Sequence, residues 1–253
     1  CRRFSPTRFI RRHDAVPFPT CSAAADKRYS FGVKISMLLY KYRSFAQFEY
    51  VLDLIVHERL YCAQYKDLND PFEGTFFAVV QDGIRKSYER RTGQQLEADR
   101  ETATVDDLYP VDDRKRICSL SRNCSDIRLW SLYADGHAGI AVEIDFSSHV
   151  RDIHQVQYND ALPLLHNSTP RTSPLVEDVF TQKSVHWSYE EEFRLIQSGE
   201  WYSVYGRIKR IILGPRVSKD RENLLKNLVR YIPIQRASLD YGSLQVIVRS
   251  SST

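Results

Sequence analysis

Apolar and polar residues alternate along several short stretches of this chain, with the spacing typical of β-strands. In residues 140–146, IAVEIDF, an apolar side chain occupies every second position, which predicts a strand with one buried face. Other apolar or alternating stretches predict strands at residues 38–43, 60–64, 74–80, 114–121, 192–196, 200–204 and 208–214, and two more strands after residue 230.

Apolar residues at helical spacing are fewer. Helices are predicted from Phe45 to about residue 57, from Asp126 to Gly136, from Ser173 onward, and over residues 219–230. The last helix should bury one face, formed by Leu224, Leu225, Leu228 and Val229. Residues 159–173 are rich in Pro, Asn, Ser and Thr and predict a loop. Strands and helices do not alternate regularly, so the predicted fold is α+β, with a mixed, mostly antiparallel sheet and flanking helices.

The first 36 residues differ in composition from the rest. They carry eight Lys or Arg and two Asp, a net charge of +6, so removing them from the formal net charge of +4 leaves −2. Because they lack periodicity and the only methionine is Met37, we expect a basic extension that is non-native or disordered; a transit peptide is the alternative. Residues 37–253 should form a single α+β domain, with a polar insertion near 82–113 that contains a helix at about 84–104.

Composition also bears on partners and setting. The positive charge lies in the extension, so the patterned region predicts no basic surface for a nucleic acid. No apolar run approaches the roughly 20 residues that cross a bilayer, so no membrane partner is expected. Cys62, Cys118 and Cys124 lack CxxC spacing and predict neither a zinc site nor a disulfide framework, which favours a reducing cytoplasm.

Residues 180–196, FTQKSVHWSYEEEFRLI, contain the most unusual cluster of charged and aromatic side chains. If the glutamates enter a strand, Glu190, Glu192 and Arg194 share one face, because side chains alternate with period two. Two carboxylates beside a guanidinium suit an enzyme that stabilises a sugar-derived cation. They also suit a solvent-exposed ladder of ion pairs, in which Lys183 would take part, and the sequence leaves both interpretations open.

Residues 128–139, RLWSLYADGHAG, form a second candidate region. We expect Trp130 to be buried in the core. Tyr133 is open to two interpretations, burial or a flat surface for a planar ligand ring. His137 is a candidate ligand contact, although a histidine at a helix end is more often structural. The chain contains no P-loop, GxGxxG, HExxH or GxSxG motif.

An ordered set of motifs supports a family resemblance. YKYRS, LNDPFE, ICSLS, LWSLYADGHAGIAVEID, KSVHWSYEEEFRLI and IILGP follow one another between Leu39 and Pro215. In this order they resemble the bacterial domain-of-unknown-function family numbered 2971, whose activity is unsettled. The resemblance implies a bacterial cytosolic protein, with a link to phage defence or abortive infection in some members. The sequence departs from this family at two places in the helix predicted from Asp126 to Gly136. Leu132 stands where many relatives carry His, and the positions before Trp130 are less apolar than in the family.

A second resemblance suggests a chemistry. Arg43, the Ser119-Leu120-Ser121 triplet and the glutamates at 190–192 occur in the chain order of ADP-ribosyltransferases of the Arg-Ser-Glu type. The resemblance implies an ADP-ribosyltransferase-like fold, NAD as co-substrate and no metal. Its implied roles are catalysis by Glu192 with Glu190 positioning the acceptor, and contacts to NAD from Arg43, Ser119, Ser121, Tyr133, His137 and Trp187.

Two other functions remain open. The first is a non-enzymatic, defence-associated sensor or protein-binding domain, in which Trp187 and the acidic cluster form an interaction face. The second is a nuclease that holds magnesium with Asp70, Glu73, Glu190 and Glu192, because carboxylates suit that ion. The net negative charge of the patterned region argues against a nuclease. The acceptor of a transferase is not predicted by the sequence.

Overall fold

The computed structural model describes residues 36–79, 90–93, 100–108, 115–166 and 173–248 of the chain. These residues belong to one compact unit, Ile35–Thr253. The predictions for the extension at 1–36 therefore lie, apart from Ser36, outside the described residues. No described helix has both the length and the apolar character that crossing a membrane requires.

The described residues form sixteen strands, five α-helices and a short helical segment at residues 90–92. The strands are β1 (Leu38–Arg43), β2 (Arg59–Tyr61), β3 (Thr75–Val79), β4 (Arg100–Thr104), β5 (Arg116–Ser121), β6 (Ile140–Asp145), β7 (Ile153–Gln155), β8 (Gln157–Asn159), β9 (Leu164–His166), β10 (Gln182–Ser184), β11 (Glu192–Gln197), β12 (Trp201–Ser203), β13 (Ile208–Leu213), β14 (Ile234–Arg236), β15 (Ser238–Asp240) and β16 (Gln245–Ile247). The helices are α1 (Phe48–Ile55), α2 (Val105–Leu108), α3 (Ile127–Tyr133), α4 (Ser173–Phe180) and α5 (Lys219–Leu228). Short 3-10 helices cover Phe45–Gln47, Tyr65–Asp67, Val150–Asp152 and Val185–Glu190.

Seven strands form the central sheet, in the order β14-β13-β6-β1-β5-β11-β7. Its neighbours are antiparallel except β13 and β14, which run parallel. Four smaller sheets pair β10 with β8, β12 with β2, β15 with β16, and β4 with β3 and β9. The predicted α+β class with mixed sheets and few helices is confirmed.

The central sheet opens between β1 and β5. Strand β1 pairs with β6 along all six of its residues, but it pairs with β5 only through Tyr40 and Ser121. Beyond that pair the ladder stops, and the Lys41 Nζ donates a hydrogen bond to the Ser119 carbonyl oxygen at 2.7 Å. A lysine side chain therefore satisfies a main-chain carbonyl that lies where the two strands separate.

Apolar residues cover both faces of the central sheet. On one side Leu39, Cys118 and Leu195 pack in the larger core cluster. On the other side Tyr42 packs against Trp130, whose ring is fully buried and meets the tyrosine edge-on, with centroids 5.2 Å apart. The indole Nε1 donates to the Cys124 carbonyl oxygen at 2.9 Å. The prediction that Trp130 is a core residue is confirmed, and its burial contributes about 1.5–3 kcal/mol.

The turn after α3 holds the end of β1 in place. The Asp126 side chain caps α3 by accepting from the Arg128 main-chain N–H at 2.8 Å. The helix ends at Tyr133, before the predicted end at Gly136. Gly139 then approaches β1 so closely that a Cβ there would lie 2.4 Å from the Arg43 carbonyl oxygen. A residue without a side chain is therefore required beside Arg43.

Four further local predictions are wrong. The strand at 140–146 was predicted to bury one face, but Ala141 and Glu143 on the other face of β6 are buried as well. Residues 100–104, assigned to the end of a polar helix, form β4, because they pair with β3 from Thr75–Thr104 to Val79–Arg100. The predicted loop at 159–173 contains β9, which pairs with β3. Helix α5 buries Leu225, and Val229 just after it, but leaves Leu224 43% and Leu228 39% exposed. Residues 82–89, 94–99 and 109–113 of the predicted insertion lie outside the described part of the chain.

Candidate functional site

A cavity of about 470 Å³ lies where β1 and β5 separate. This volume is typical of small-molecule sites. Charged and aromatic side chains make up much of its lining, which includes Lys41, Arg43, Tyr50, Tyr61, Asn69, Ser119, Ser121, Tyr133, Lys183, Glu190, Glu192 and Arg194.

Most of the residues that the sequence assigned to a site line this cavity. Arg43, Ser119, Ser121, Tyr133, Glu190 and Glu192 all do so. His137 and Trp187 do not belong to the lining. The cavity therefore brings together residues from β1, β5, α3 and β11 that are up to 149 positions apart in the numbering, from Arg43 to Glu192.

The three strands of the Arg-Ser-Glu pattern are neighbours in the sheet, in the order β1-β5-β11. Ser121 lies opposite both Tyr40 and Glu192, so these three residues share one face. Arg43 lies an odd number of positions from Tyr40 and belongs to the other face. Arg43 and Glu192 therefore reach the same cavity through the opening between β1 and β5, and not from one face of a continuous sheet.

Glu192 is held in a buried network of charges. The Arg194 Nε donates to the Glu192 Oε1 at 2.7 Å, and the Lys183 Nζ donates to its Oε2 at 2.9 Å. Arg194 also forms a bidentate pair with Glu73, at 2.6 and 2.8 Å, and donates to the Phe180 carbonyl oxygen. Glu192 and Arg194 are 2% and 0% exposed. An arginine with this many charge-assisted bonds fixes the orientation of both carboxylates.

Strand β8 supports this network through a hydrogen bond to the main chain of Glu192. The Tyr158 hydroxyl accepts a hydrogen bond from the Glu192 N–H at 2.8 Å. Strand β8 also pairs with β10, in register Tyr158 opposite Lys183. The small β8–β10 sheet therefore places both the Lys183 ammonium and the start of β11 beside the cavity.

The sequence suggested that Glu190 is a strand residue. In the structure it is the last residue of the 3-10 helix Val185–Glu190. Glu191 follows in the left-handed conformation, with φ of 43°. This turn still leaves Glu190 beside Glu192, because the Lys183 Nζ donates to the Glu190 Oε2 at 2.5 Å as well as to Glu192. The two carboxylates therefore share one ammonium group.

Tyr133 and Ser121 hold Glu190 from two other directions. The Tyr133 hydroxyl donates to the Glu190 Oε1 at 2.7 Å and accepts from the Asn69 Nδ2 at 3.0 Å. The Ser121 Oγ donates to the Glu190 carbonyl oxygen at 2.6 Å. Because these contacts cross from α3 and β5 to the 3-10 helix, Glu190 has little freedom to rotate.

The network keeps the carboxylate of Glu192 ionised. Burial acts to raise the pKa of Glu192, but the charges of Arg194 and Lys183 outweigh it and lower the pKa to about 2. Burial alone would lower the pKa of Lys183, whereas Glu192 and Glu190 raise it above its usual value. At neutral pH the cavity therefore contains a fixed negative charge at Glu192 and a fixed positive charge at Lys183.

A pH dependence of stability follows from Glu192. Its folded pKa lies below the unfolded value of about 4.3, so its contribution is complete above that value and is lost as the pH falls toward 2. We expect the difference in free energy of unfolding between the wild type and Glu192→Gln to narrow between pH 6 and pH 3. Urea unfolding at several pH values measures it, and a difference that does not change with pH would contradict the assignment.

Arg43 is a cation whose buried Nε lacks a hydrogen-bond acceptor in the described part of the chain. Its Nε is buried and makes no hydrogen bond, and no ion pair joins the guanidinium to a described carboxylate. Its Cζ lies 5.7 Å from the centroid of the Tyr50 ring. Burial lowers the pKa of Arg43. A buried donor group without an acceptor is costly, so this side of the cavity suits an anionic ligand.

Two predicted contacts lie elsewhere. His137 is buried, with φ of 73°, and its Nε2 lies 3.1 Å from the Ser131 Oγ. Its Nδ1 has no partner among the described residues. Trp187 meets the cavity lining at Lys183, whose Nζ is 4.9 Å from the ring centroid. Neither residue belongs to the cavity lining, so their predicted contacts to a ligand stay predictions.

Several residues that line the cavity were not among the site residues predicted from the sequence. Tyr50 and Tyr61 form a ring pair with centroids 5.0 Å apart, and Asn69 contacts Tyr133. Lys41 could have been found, because it lies two residues before Arg43 and so shares its face of β1. The other three come from α1 (Tyr50), from the end of β2 (Tyr61) and from a loop (Asn69), whose positions depend on the tertiary structure.

The carboxylates of the nuclease hypothesis are used differently. Both oxygens of Glu73 accept from Arg194, and Lys183 lies between Glu190 and Glu192. An Asp70 oxygen accepts from the Phe72 main-chain N–H in a turn. Three of the four carboxylates, Glu73, Glu190 and Glu192, are thus paired with Lys183 or Arg194.

Comparisons with protein-family models, with curated proteins and with solved structures give no match to this chain. The two family resemblances therefore stay predictions.

Proposed function

We propose that this protein is an ADP-ribosyltransferase-like enzyme that cleaves NAD at the bond between nicotinamide and ribose. The observation that carries the proposal is the meeting of Arg43, Ser121 and Glu192, from three neighbouring strands, in the cavity between β1 and β5. Chain order alone, on which the resemblance depends, does not require these residues to be close in space.

The reaction calls for a fixed negative charge beside a developing positive charge. When the C1′–N bond breaks, its electron pair leaves with nicotinamide, and the ribosyl group acquires oxocarbenium character. A carboxylate that binds the ribose 2′-hydroxyl stabilises this transition state. Glu192 is ionised, oriented by Arg194 and adjacent to the cavity, so it suits this role.

The other lining residues would bind and orient the substrate. Arg43 would hold the diphosphate, which supplies the acceptor oxygens that its buried Nε lacks. Ser121 is a positioning residue, because its hydroxyl holds the main chain of Glu190. Glu190 would direct an incoming nucleophile to C1′, where the nucleophile loses its proton to the solvent as the new bond forms. Tyr133 lies beside it, and its ring would stack on the substrate.

The acceptor and the biological setting are further parts of the proposal. A role in bacterial defence is implied by the first resemblance alone, and the acceptor is a macromolecule or a small molecule. A non-enzymatic binding domain is the alternative. It would use the same cavity to recognise a ligand without cleaving it.

A thermal unfolding experiment separates these functions. We expect NAD to raise the melting temperature of the wild type, since a ligand that binds only the folded state stabilises it, whereas magnesium without NAD should not. Arg43→Met should abolish the shift, and Lys209→Met, which removes an equal charge at an exposed ion pair with Asp145, should retain it. Stabilisation by magnesium would favour the nuclease, and stabilisation by neither would contradict the transferase.

A further inference from the structure

Cys62 and Cys118 face each other across two strand segments. Ala63 and Ile117 exchange both main-chain hydrogen bonds, each at 2.8 Å, in an antiparallel bridge. Cys62 precedes Ala63 and Cys118 follows Ile117, so the two cysteines lie opposite each other in the antiparallel register. The Cys62 N–H points away from β5, because it donates to the Glu200 carbonyl oxygen at 2.7 Å. Cys62 and Cys118 therefore form a non-hydrogen-bonded pair.

Such a pair has the geometry that a disulfide needs. Facing residues at a non-hydrogen-bonded position have Cα atoms about 4.5 Å apart. This separation lies within the range of about 4.4–6.8 Å found between the Cα atoms of disulfides. Both side chains point to the same face and belong to the same core cluster, and both are free thiols. The register therefore suits a disulfide between Cys62 and Cys118.

The surroundings activate one of the two thiols. The Cys118 Sγ and the Lys41 Nζ both contact the Ser119 carbonyl oxygen, at 4.0 and 2.7 Å, which places the thiol close to the ammonium group. A hydrogen bond from Cys62 lowers the pKa of Cys118 to about 6, against the effect of burial, and Lys41 and Arg43 lower it as well. The pKa of Cys62 is raised by the same hydrogen bond and by burial. Cys118 is thus the thiolate and Cys62 the thiol.

We propose that Cys62 and Cys118 are a redox-active dithiol that small peroxides convert reversibly to a disulfide. The Cys118 thiolate attacks one oxygen of hydrogen peroxide, the O–O bond breaks, and hydroxide leaves. The sulfenic acid formed on Cys118 then condenses with the Cys62 thiol, so that the S–S bond forms and water leaves. The two sulfurs together lose two electrons to the peroxide, and an external dithiol restores them.

The cavity is close to these buried sulfurs, although neither cysteine belongs to its lining. Ala63 and Ile117, the neighbours of the two cysteines, line the cavity, as do Lys41 and Arg43. The inference does not rest on NAD cleavage, since it depends only on the register of two segments and on two nearby cations.

Mass spectrometry of the whole chain tests the proposal. The reduced protein is treated with hydrogen peroxide, its remaining thiols are alkylated, and it is digested without reduction. We expect one cross-linked peptide pair, joining Cys62 to Cys118 and two hydrogens lighter than the separate peptides, which dithiothreitol cleaves. Cys124→Ser is the matched control, because it removes the third described cysteine and should give the same cross-link.

Two variants test the order of the steps. In Cys62→Ser the sulfenic acid on Cys118 has no partner, and dimedone should label Cys118. In Cys118→Ser the oxidation of Cys62 should slow at least tenfold. Free thiols at Cys62 and Cys118 in wild-type protein whose Cys124 has been oxidised would overturn the proposal, and so would a cross-link to any other cysteine. The presence or absence of the Cys62–Cys118 cross-link in the wild type tests the proposal even if a variant fails to fold.

Discussion

Replacing Glu192 by glutamine is expected to lower the rate of nicotinamide release from NAD by about 100- to 1,000-fold, the usual effect of removing one preorganised charge from a transition state. The substitution keeps the size of the side chain but removes the negative charge next to the ribosyl cation. The fold should survive, because Lys183 keeps its bond to Glu190 and Arg194 keeps its bidentate bond to Glu73.

Glu191→Gln provides the matched control for this experiment. Glu191 is the adjacent residue and undergoes the same chemical change, but it is exposed and its carboxylate accepts from the Asn123 Nδ2 at 3.1 Å, away from the cavity lining. Its rate of nicotinamide release should equal that of the wild type. If a folded Glu192→Gln protein released nicotinamide at the wild-type rate, Glu192 would not be a catalytic residue.

Replacing Arg194 by methionine should cause the largest loss of stability of any single change at this site, about 3–5 kcal/mol, the cost of leaving buried charges unpaired. Arg194 is completely buried and compensates both Glu73 and Glu192. Methionine fills much of the same space, so the loss reports the charge and not a cavity. Urea unfolding followed by circular dichroism measures the change in free energy.

An exposed ion pair supplies the comparison for Arg194. Lys219 pairs with Glu222 at 3.1 Å, with its side chain 82% exposed. Lys219→Met should therefore cost less than about 1 kcal/mol, as exposed ion pairs do. If the two variants lost similar stability, the buried network would not be the structural support of Glu192 that we describe.

The strand pattern was readable from the sequence because apolar residues recur at every second position of several central strands, including β6, which is buried on both faces. Strands β1 and β6 and the buried position of Trp130 followed directly from the spacing of apolar residues. Strand β4 was not readable from the sequence, because RETAT at 100–104 has no apolar alternation. These residues form a strand only by pairing with β3.

The candidate site was predictable as a set of residue types but not as a geometry. The resemblance selected Arg43, Ser121 and Glu192 by their order, and all three line the cavity. The opening between β1 and β5 depends on a ladder that stops after Tyr40 and Ser121, and no local pattern records it.

The most direct test of the account is a crystal structure of Glu192→Gln grown with NAD. The account predicts NAD in the cavity between β1 and β5, with its diphosphate within hydrogen-bonding distance of Arg43 and the nicotinamide ribose against Gln at position 192. A structure in which saturating NAD leaves this cavity empty, or occupies another surface of the protein, would contradict it.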